Sequence, residues 1–420
     1  MKRRRFLKTL GLTAVAASVP SLLKARKPAI QDFQWPFSED IPMFKNTIRQ
    51  NIHDYYPHVM DSAPSTKPLI NGKSFLYFGG YSYYQLQDHP ECIEAAMKAL
   101  RQYGIGSGTA RAHTGMTRLH FEVESKAAQF FGTEDAIYLP SGYVSNIAGI
   151  QALQTMKMFD KIFVDKSAHF CNMDGAYSVN VPTYIFKNND PEDLLQLIKT
   201  HLKAGEKPLI VTDGIFATFG VMARIPELLQ IAEQYDGIIW IDDAHPTGII
   251  GDNGRGTYEY FGLKSPRLFF GSTLSKAVGG YGGIVPGTKA FTDTVRRGNV
   301  IRGGSNPPAP AAAAALKGME ILMENPEMRQ QLWRNARRLK AGLRSIGLDV
   351  ENNYFAMTAF STGDTKQMQQ IRQKLLDKDI FIQFSTYVGV SSVGALRIVV
   401  FSTHTNEQID YLVQTLKEVV

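Results

Sequence analysis

The chain has 420 residues, 44% of them hydrophobic and 20% charged, which suits a globular protein with one large domain and a smaller one. Its formal charge of +7 is local: Lys2, Arg3, Arg4, Arg5, Lys8, Lys24, Arg26 and Lys27 all lie in the first thirty positions, which hold no Asp or Glu. Taking those eight from the 46 basic residues leaves 38 against 39 acidic ones, so the body carries no basic footprint and nucleic acid is excluded as a partner.

The basic start is patterned. Arg3-Arg4-Arg5-Phe6-Leu7-Lys8 fits the twin-arginine export consensus R-R-x-F-L-K. The mildly apolar stretch from Thr9 to Leu23 is too short and too weak to span a membrane. Residues 1–28 therefore read as a signal segment, set aside from fold reasoning. The expectation is export to the periplasm without a stable membrane anchor. Residues 29–70 read as an arm, rich in Pro and aromatics over Ala29 to Lys67, with weak periodicity.

From there the chain organises into helices and strands. Ile93, Ala96, Met97 and Leu100 share one face of a helix predicted over His89 to Tyr103, and Gly104 closes it. A glycine-rich connection (Gly104, Gly106, Gly108) leads to a helix from about Thr117 to Phe131. Short apolar runs follow at Ala136–Leu139, Lys161–Asp165 and Pro208–Thr212. Two more are Gly237–Ile241, leading into Asp242, and Arg267–Gly271, leading into Ser272. Runs of this kind, alternating with helical patterns, predict buried parallel strands in an α/β, doubly wound sheet. Pro307-Pro308 marks a boundary. Beyond it come an alanine-rich helix, a helix around Met328 to Ile346, a strand Phe355–Phe360, a helix Lys366–Lys378, a strand Leu396–Phe401 and a final amphipathic helix. The predicted organisation is a large domain over residues 71–306 and a smaller α+β domain over residues 307–420.

In an open α/β sheet, ligands bind at the carboxyl ends of the strands. That rule brings Asp242, His245, Thr273 and Lys276 to one crevice. A lysine amine, a carboxylate, an imidazole and a hydroxyl together suit a Schiff base with pyridoxal 5'-phosphate (PLP). Lys276 alone reads as a solvated lysine after a strand. Asp242 changes that reading, because a buried carboxylate beside the pyridine nitrogen keeps it protonated. His245, three positions on, reaches the ring hydroxyl, while Asp243 is left to cap a turn. Ser141-Gly142-Tyr143 follows a strand and opens a helix, where backbone N–H groups bind phosphate. Thr273 either adds a hydroxyl to that phosphate or positions the lysine. His169, just past a strand, reads on its own as a structural or surface histidine, with stacking on a pyridine ring as the functional alternative. Arg397, inside an apolar strand, either pairs with a protein carboxylate or clamps a substrate carboxylate in bidentate fashion. Two cysteines cannot build a zinc cage alone, and no metal site is expected. Cys92 lies in a helical pattern and reads as buried packing.

In this order, these pieces resemble the α-oxoamine synthase family of fold-type-I PLP enzymes. The resemblance runs from about residue 77 to the end. It is carried by Tyr103-Gly104-x-Gly106, by Arg111-Ala112-His113-Thr114-Gly115 with His120 and Glu124, and by Ser141-Gly142-Tyr143 with Asn146. It continues through Asp165 to His169, Asp242-Asp243-Ala244-His245, Gly254-Arg255-Gly256, Thr273 to Lys276, and Leu396-Arg397-Ile398 with His404. The resemblance implies a homodimer that joins an amino acid to an acyl thioester with loss of carbon dioxide. Lys276 would then carry the cofactor and move the Cα proton, with Asp242 on the ring nitrogen and His245 on the phenolic oxygen. His169 would stack on the ring, the Ser141 turn would lie at the phosphate, and Arg397 would hold the amino-acid carboxylate. The chain departs from the family pattern in four places. Tyr81 to Leu86 stands where the family has an N-x-Y-L-G-type segment carrying an asparagine, Gly303-Gly304 where it has Ser-Thr, and Asp213 to Gly220 where it has E-G-x-F-S-M-D-G. Tyr387 to Val390 replaces a proline-rich P-P-x-V-P run. With the substrate-facing shell altered, transamination or aldol-type cleavage on the same fold and a non-catalytic PLP-binding descendant stand as alternatives.

Overall fold

The computed structural model describes residues 58–420; the signal segment and most of the predicted arm lie outside them. Three short strands open the described chain: β1 (Leu69–Ile70), β2 (Lys73–Ser74) and β3 (Leu76–Tyr77). The central strands are β4 (Asp135–Leu139), β5 (Lys161–Asp165), β6 (Thr183–Phe186), β7 (Pro208–Asp213), β8 (Ile238–Asp242), β9 (Leu268–Thr273) and β10 (Gly283–Gly287). The last four are β11 (Met357–Phe360), β12 (Ile380–Phe381), β13 (Gln383–Ser385) and β14 (Ala395–Val399).

Seven strands form one sheet in the order β4-β10-β9-β8-β7-β5-β6. All run parallel except β10, which is antiparallel to both of its neighbours. The predicted α/β, mostly parallel sheet is therefore present. β7 and β8 are buried along their whole length, as a strand covered on both faces must be. Two strands of this sheet, β6 and β10, are not among those expected; at β10, Pro286 argues against an interior strand. The register explains the tolerance. Only Gly283 and Ile284 pair with β9, and Pro286 lies beyond that pairing.

The register also lines up the strand ends. Asp213 lies opposite Asp242, Asp242 opposite Gly271, and Thr273 and Leu139 both opposite Gly283. Above this edge the helix Gly142–Thr155 packs tightly on the sheet. A Cβ on Gly149 would come within 1.9 Å of the Trp240 ring, so glycine there is what lets helix and sheet meet.

The C-terminal residues build a three-stranded antiparallel sheet, β11-β14-β13. β12 pairs with β3 rather than with this sheet, tying residues 76–77 to the C-terminal part of the chain. The alanine-rich helix Ala309–Glu324 packs against the helices Pro90–Tyr103 and Arg118–Phe131. No helix among the described residues is long and apolar enough to cross a membrane.

Candidate active site

Lys276 sits three residues past the end of β9. The loop that presents it is tied down from both sides. Thr273 Oγ1 donates to the Gly282 carbonyl at 2.9 Å, accepts from the Ser275 amide and lies 2.7 Å from the Ser275 hydroxyl. Gln87 Nε2 donates to the Ser275 and Lys276 carbonyls. Of the two roles open to Thr273, positioning the lysine is the one these bonds perform. Enclosure by protein pushes the Lys276 pKa down, against the pull of Asp242 and Asp213. Its amine is thereby shifted toward the neutral, nucleophilic form.

Asp242, on the neighbouring strand, is held at both oxygens. Oδ1 accepts from the Ala244 amide at 3.0 Å. Oδ2 accepts from Asn146 Nδ2 at 2.9 Å and from the Cys171 thiol at 3.3 Å. Asn146 is fixed in turn by Trp240 Nε1, which donates to its Oδ1 at 2.8 Å. Burial and the Asp242 charge hold the Cys171 thiol protonated, so it is a hydrogen-bond partner rather than a thiolate. His169, Cys171 and Asp242 offer three convergent ligand atoms, but a metal there would have to displace that proton. Asp243 points away, accepting from the Thr257 amide and hydroxyl at 2.8 and 2.7 Å. Asp243 thus ties its loop to the start of the helix Thr257–Tyr260, a structural role away from the crevice, while the local turn bond, Ala244 N–H to Oδ1, is made by Asp242.

His245 is buried, and its Nδ1 lies 2.8 Å from the Tyr83 hydroxyl. Burial, Lys276 and Arg397 hold its pKa well below the usual imidazole value, so the ring is neutral. His169 caps the helix Phe170–Tyr177, its Nδ1 accepting from the Cys171 amide at 3.2 Å. Its Nε2 lies 2.7 Å from the Tyr387 hydroxyl, and Tyr143 meets its ring edge-on at 6.0 Å. Its own amide donates to Asp213 Oδ1. Burial lowers its pKa as well.

The helix Gly142–Thr155 begins beside Thr273. Ser141 caps it, its Oγ accepting from Val144 N at 3.2 Å. The amides of Gly142 and Tyr143 are among those that a helix leaves open in its first turn. A Cβ at Gly142 would lie 2.7 Å from Thr273 Cβ, so glycine lets the start of the helix, its positive end, sit directly against the end of β9 beside Lys276.

Arg397, on β14, is buried. Nε donates to the Ala217 carbonyl at 2.9 Å and Nη1 to the Gly80 carbonyl at 3.0 Å, while Nη2 faces only the Met357 thioether. No protein carboxylate pairs with it among the described residues. Of the two expectations for Arg397, pairing with a protein carboxylate is not seen among the described residues. With Nε and Nη1 engaged, the Nη2 edge is what remains for an incoming anion.

Other motif residues are structural. Glu124 receives Arg111 at 2.6 Å and the Tyr138 amide at 3.0 Å, joining the helix Arg118–Phe131 to β4. His404 Nδ1 accepts from the Phe401 amide, and Nε2 lies 3.1 Å from the Tyr77 carbonyl. Sequence reasoning did not place Tyr83, Gln87, Cys171 or Tyr387 in the crevice. The one signal for Tyr387 was its position in the segment that replaces the family's proline run.

The residues fit PLP on observations of this molecule: a lysine shifted toward neutrality, a carboxylate held rigidly on the adjacent strand, and a Ser141-capped helix N-terminus brought against the same strand end by Gly142. They define a PLP-dependent transferase of fold type I. The aminotransferase class I and II family model matches residues 74–416. The chain is 32% identical over 372 residues to an 8-amino-7-oxononanoate synthase of Alkaliphilus oremlandii, covering 88% of this chain and 93% of that one. It is 34% identical to an 8-amino-7-oxononanoate synthase of Lysinibacillus sphaericus, covering 86% and 92%. Among solved structures, a serine palmitoyltransferase variant from S. paucimobilis with a bound PLP–myriocin aldimine superposes with a TM-score of 0.81 at 28% identity, covering 90% and 97%. The chain belongs to the α-oxoamine synthases within the aminotransferase class I and II family. It is a PLP-dependent acyltransferase, of the type that condenses an amino acid with an acyl thioester and releases carbon dioxide.

Proposed function

We propose that Lys276 carries the cofactor and that Arg397 receives the carboxylate of the amino acid to be acylated. The carrying observation is the guanidinium of Arg397, buried with no carboxylate partner among the described residues and near enough to Lys276 and His245 to shift both. A buried charge left unpaired is costly, and an anionic substrate group on the Nη2 edge removes that cost.

PLP, when bound, supplies an electron sink for the pair left at the amino-acid Cα. The protein residues divide the remaining work. Lys276, with its lowered pKa, takes the proton from Cα. Asp242 would hold a proton at the ring nitrogen, its carboxylate kept aimed by Asn146 and Cys171. His245, oriented by Tyr83, would meet the phenolic oxygen. His169 would cover one face of the ring, and the amides of Gly142 and Tyr143 would take the phosphate.

The chain works as a homodimer in this reading. Ile93, Met97 and Leu100 are exposed along one side of the helix Pro90–Tyr103, and Ile105 just beyond is 80% exposed; a second copy would cover them. Light scattering of the purified protein tests this, and a monomer mass would refute it. The twin-arginine pattern of residues 3–8 supports export to the periplasm, which N-terminal sequencing of protein from fractionated cells tests.

For the reaction, the protein loaded with PLP is given a panel of carboxyl-labelled amino acids with acyl-CoA thioesters. The expected result is labelled carbon dioxide in step with an amino ketone, only when both substrates are present. Formation of pyridoxamine phosphate from the amino acid without any thioester would refute the assignment in favour of transamination.

A further inference from the structure

Tyr387 is the crevice residue for which the function above provides no role. It lies in the loop between β13 and β14, where the family resemblance calls for prolines, and it is 43% exposed. Its ring packs edge-on to Phe170 at 5.4 Å. Among the described residues its hydroxyl makes one hydrogen bond, with His169 Nε2 at 2.7 Å.

The direction of that bond follows from the other side of the imidazole. His169 Nδ1 lies 3.2 Å from the Cys171 backbone N–H and 2.8 Å from the protonated Cys171 thiol, and a backbone amide can only donate. Nδ1 is therefore unprotonated. The neutral ring then carries its proton on Nε2, and Nε2–H donates to the Tyr387 oxygen. The tyrosine's own O–H proton is left without a protein acceptor among the described residues. Burial raises the Tyr387 pKa, which keeps that proton in place. The result is a relayed donor, amide to imidazole to phenol, ending at an open O–H group at the rim of the Lys276 crevice.

Acyl transfer needs such a donor. The electron pair at the amino-acid Cα forms the new carbon–carbon bond to the thioester carbonyl carbon, and the carbonyl π pair moves onto oxygen. That oxygen carries the charge until the C=O bond re-forms, the C–S bond breaks, and the thiolate leaves with the pair and takes a proton from solvent. Arg397 is engaged with the amino-acid carboxylate and Lys276 with the Cα proton; the Tyr81 phenol also faces the crevice, its ring 5.7 Å from Lys276 Nζ, but among the described residues no imidazole holds it as His169 holds Tyr387. We propose that the Tyr387 hydroxyl, held by His169, is a catalytic hydrogen-bond donor to the thioester carbonyl oxygen during carbon–carbon bond formation. It donates without giving up its proton, so the balance of the step is unchanged.

This inference rests on the acyltransferase reading, and the test separates the two. Exchange of the amino-acid Cα proton with deuterated water, without thioester, reports Lys276 and Arg397. Condensation with acyl-CoA reports the added step. Tyr387→Phe keeps the ring packing and removes the hydroxyl. It should leave Cα exchange and amino-acid affinity within about threefold while kcat for condensation falls ~100-fold, the usual loss for one oxyanion donor. Condensation unchanged in Tyr387→Phe would overturn the inference. So would an equal loss in exchange and condensation, because Tyr387 would then act only by placing His169. A wild-type protein that exchanges Cα but never condenses would overturn the acyltransferase reading itself.

Discussion

Replacing Arg397 by Met keeps the length of the side chain and removes the charge. In the native protein the guanidinium is buried, donates to the carbonyls of Ala217 and Gly80, and has Nη2 facing a thioether. If a substrate carboxylate completes this arrangement, the substitution leaves that carboxylate unpaired in a dry site. Truncating one partner of a buried, hydrogen-bonded charge pair costs about 2–5 kcal/mol, roughly 30- to 4,000-fold in Kd. The assay is a spectral titration of the PLP-loaded protein with an amino acid and with the matching primary amine that lacks the carboxylate. Wild type should favour the amino acid, and Arg397→Met should bind both alike. Arg397→Lys should recover part of the preference, because it restores charge without the planar fork. The reasoning is refuted if Arg397→Met retains the full preference for the amino acid.

Three further outcomes follow from the packing and the charges. Gly149→Ala sets a methyl group against Trp240 at 1.9 Å; it should destabilise by about 2 kcal/mol or more in urea unfolding, and an unchanged midpoint would contradict the packing argument. Lys340 is fully buried beside Asn353, and burial lowers its pKa from 10.5 to about 7. Between those values the unfolded chain holds a proton that the folded one lacks, so stability should rise with pH across that window, with a ceiling of roughly 5 kcal/mol. Lys340→Met should flatten the rise, measured as urea midpoints at pH 7 and pH 9. Asp242→Asn keeps the shape of the carboxylate but not its charge. It should lower the pKa of the bound cofactor's ring nitrogen by ~1–3 units, read by absorbance against pH, and turnover should fall with it.

Lys276, Asp242, His245 and the Ser141 turn were legible because each ends an apolar run, and a parallel sheet delivers every such end to one edge. Arg397 was legible as an anomaly, a charge inside an apolar strand; its partners on Ala217 and Gly80 were not, since both lie far away in sequence. The supports of the site were hidden for the same reason. Asn146 reaches Asp242 across 96 positions and Tyr83 reaches His245 across 162, and no local pattern announces such pairs. Cys171 and Tyr387 carry no periodicity either. β10 was concealed by Pro286, which ordinary strand rules penalise and which only the register with β9 excuses.

The central claim is that Lys276 binds PLP as a Schiff base. Reducing the PLP-loaded protein with borohydride fixes that bond, and peptide mass mapping locates it. The expected result is one pyridoxyl-phosphate adduct per chain, on the peptide containing Lys276, and none in Lys276→Ala. An adduct on a different lysine, or none in the wild-type protein, would contradict the account.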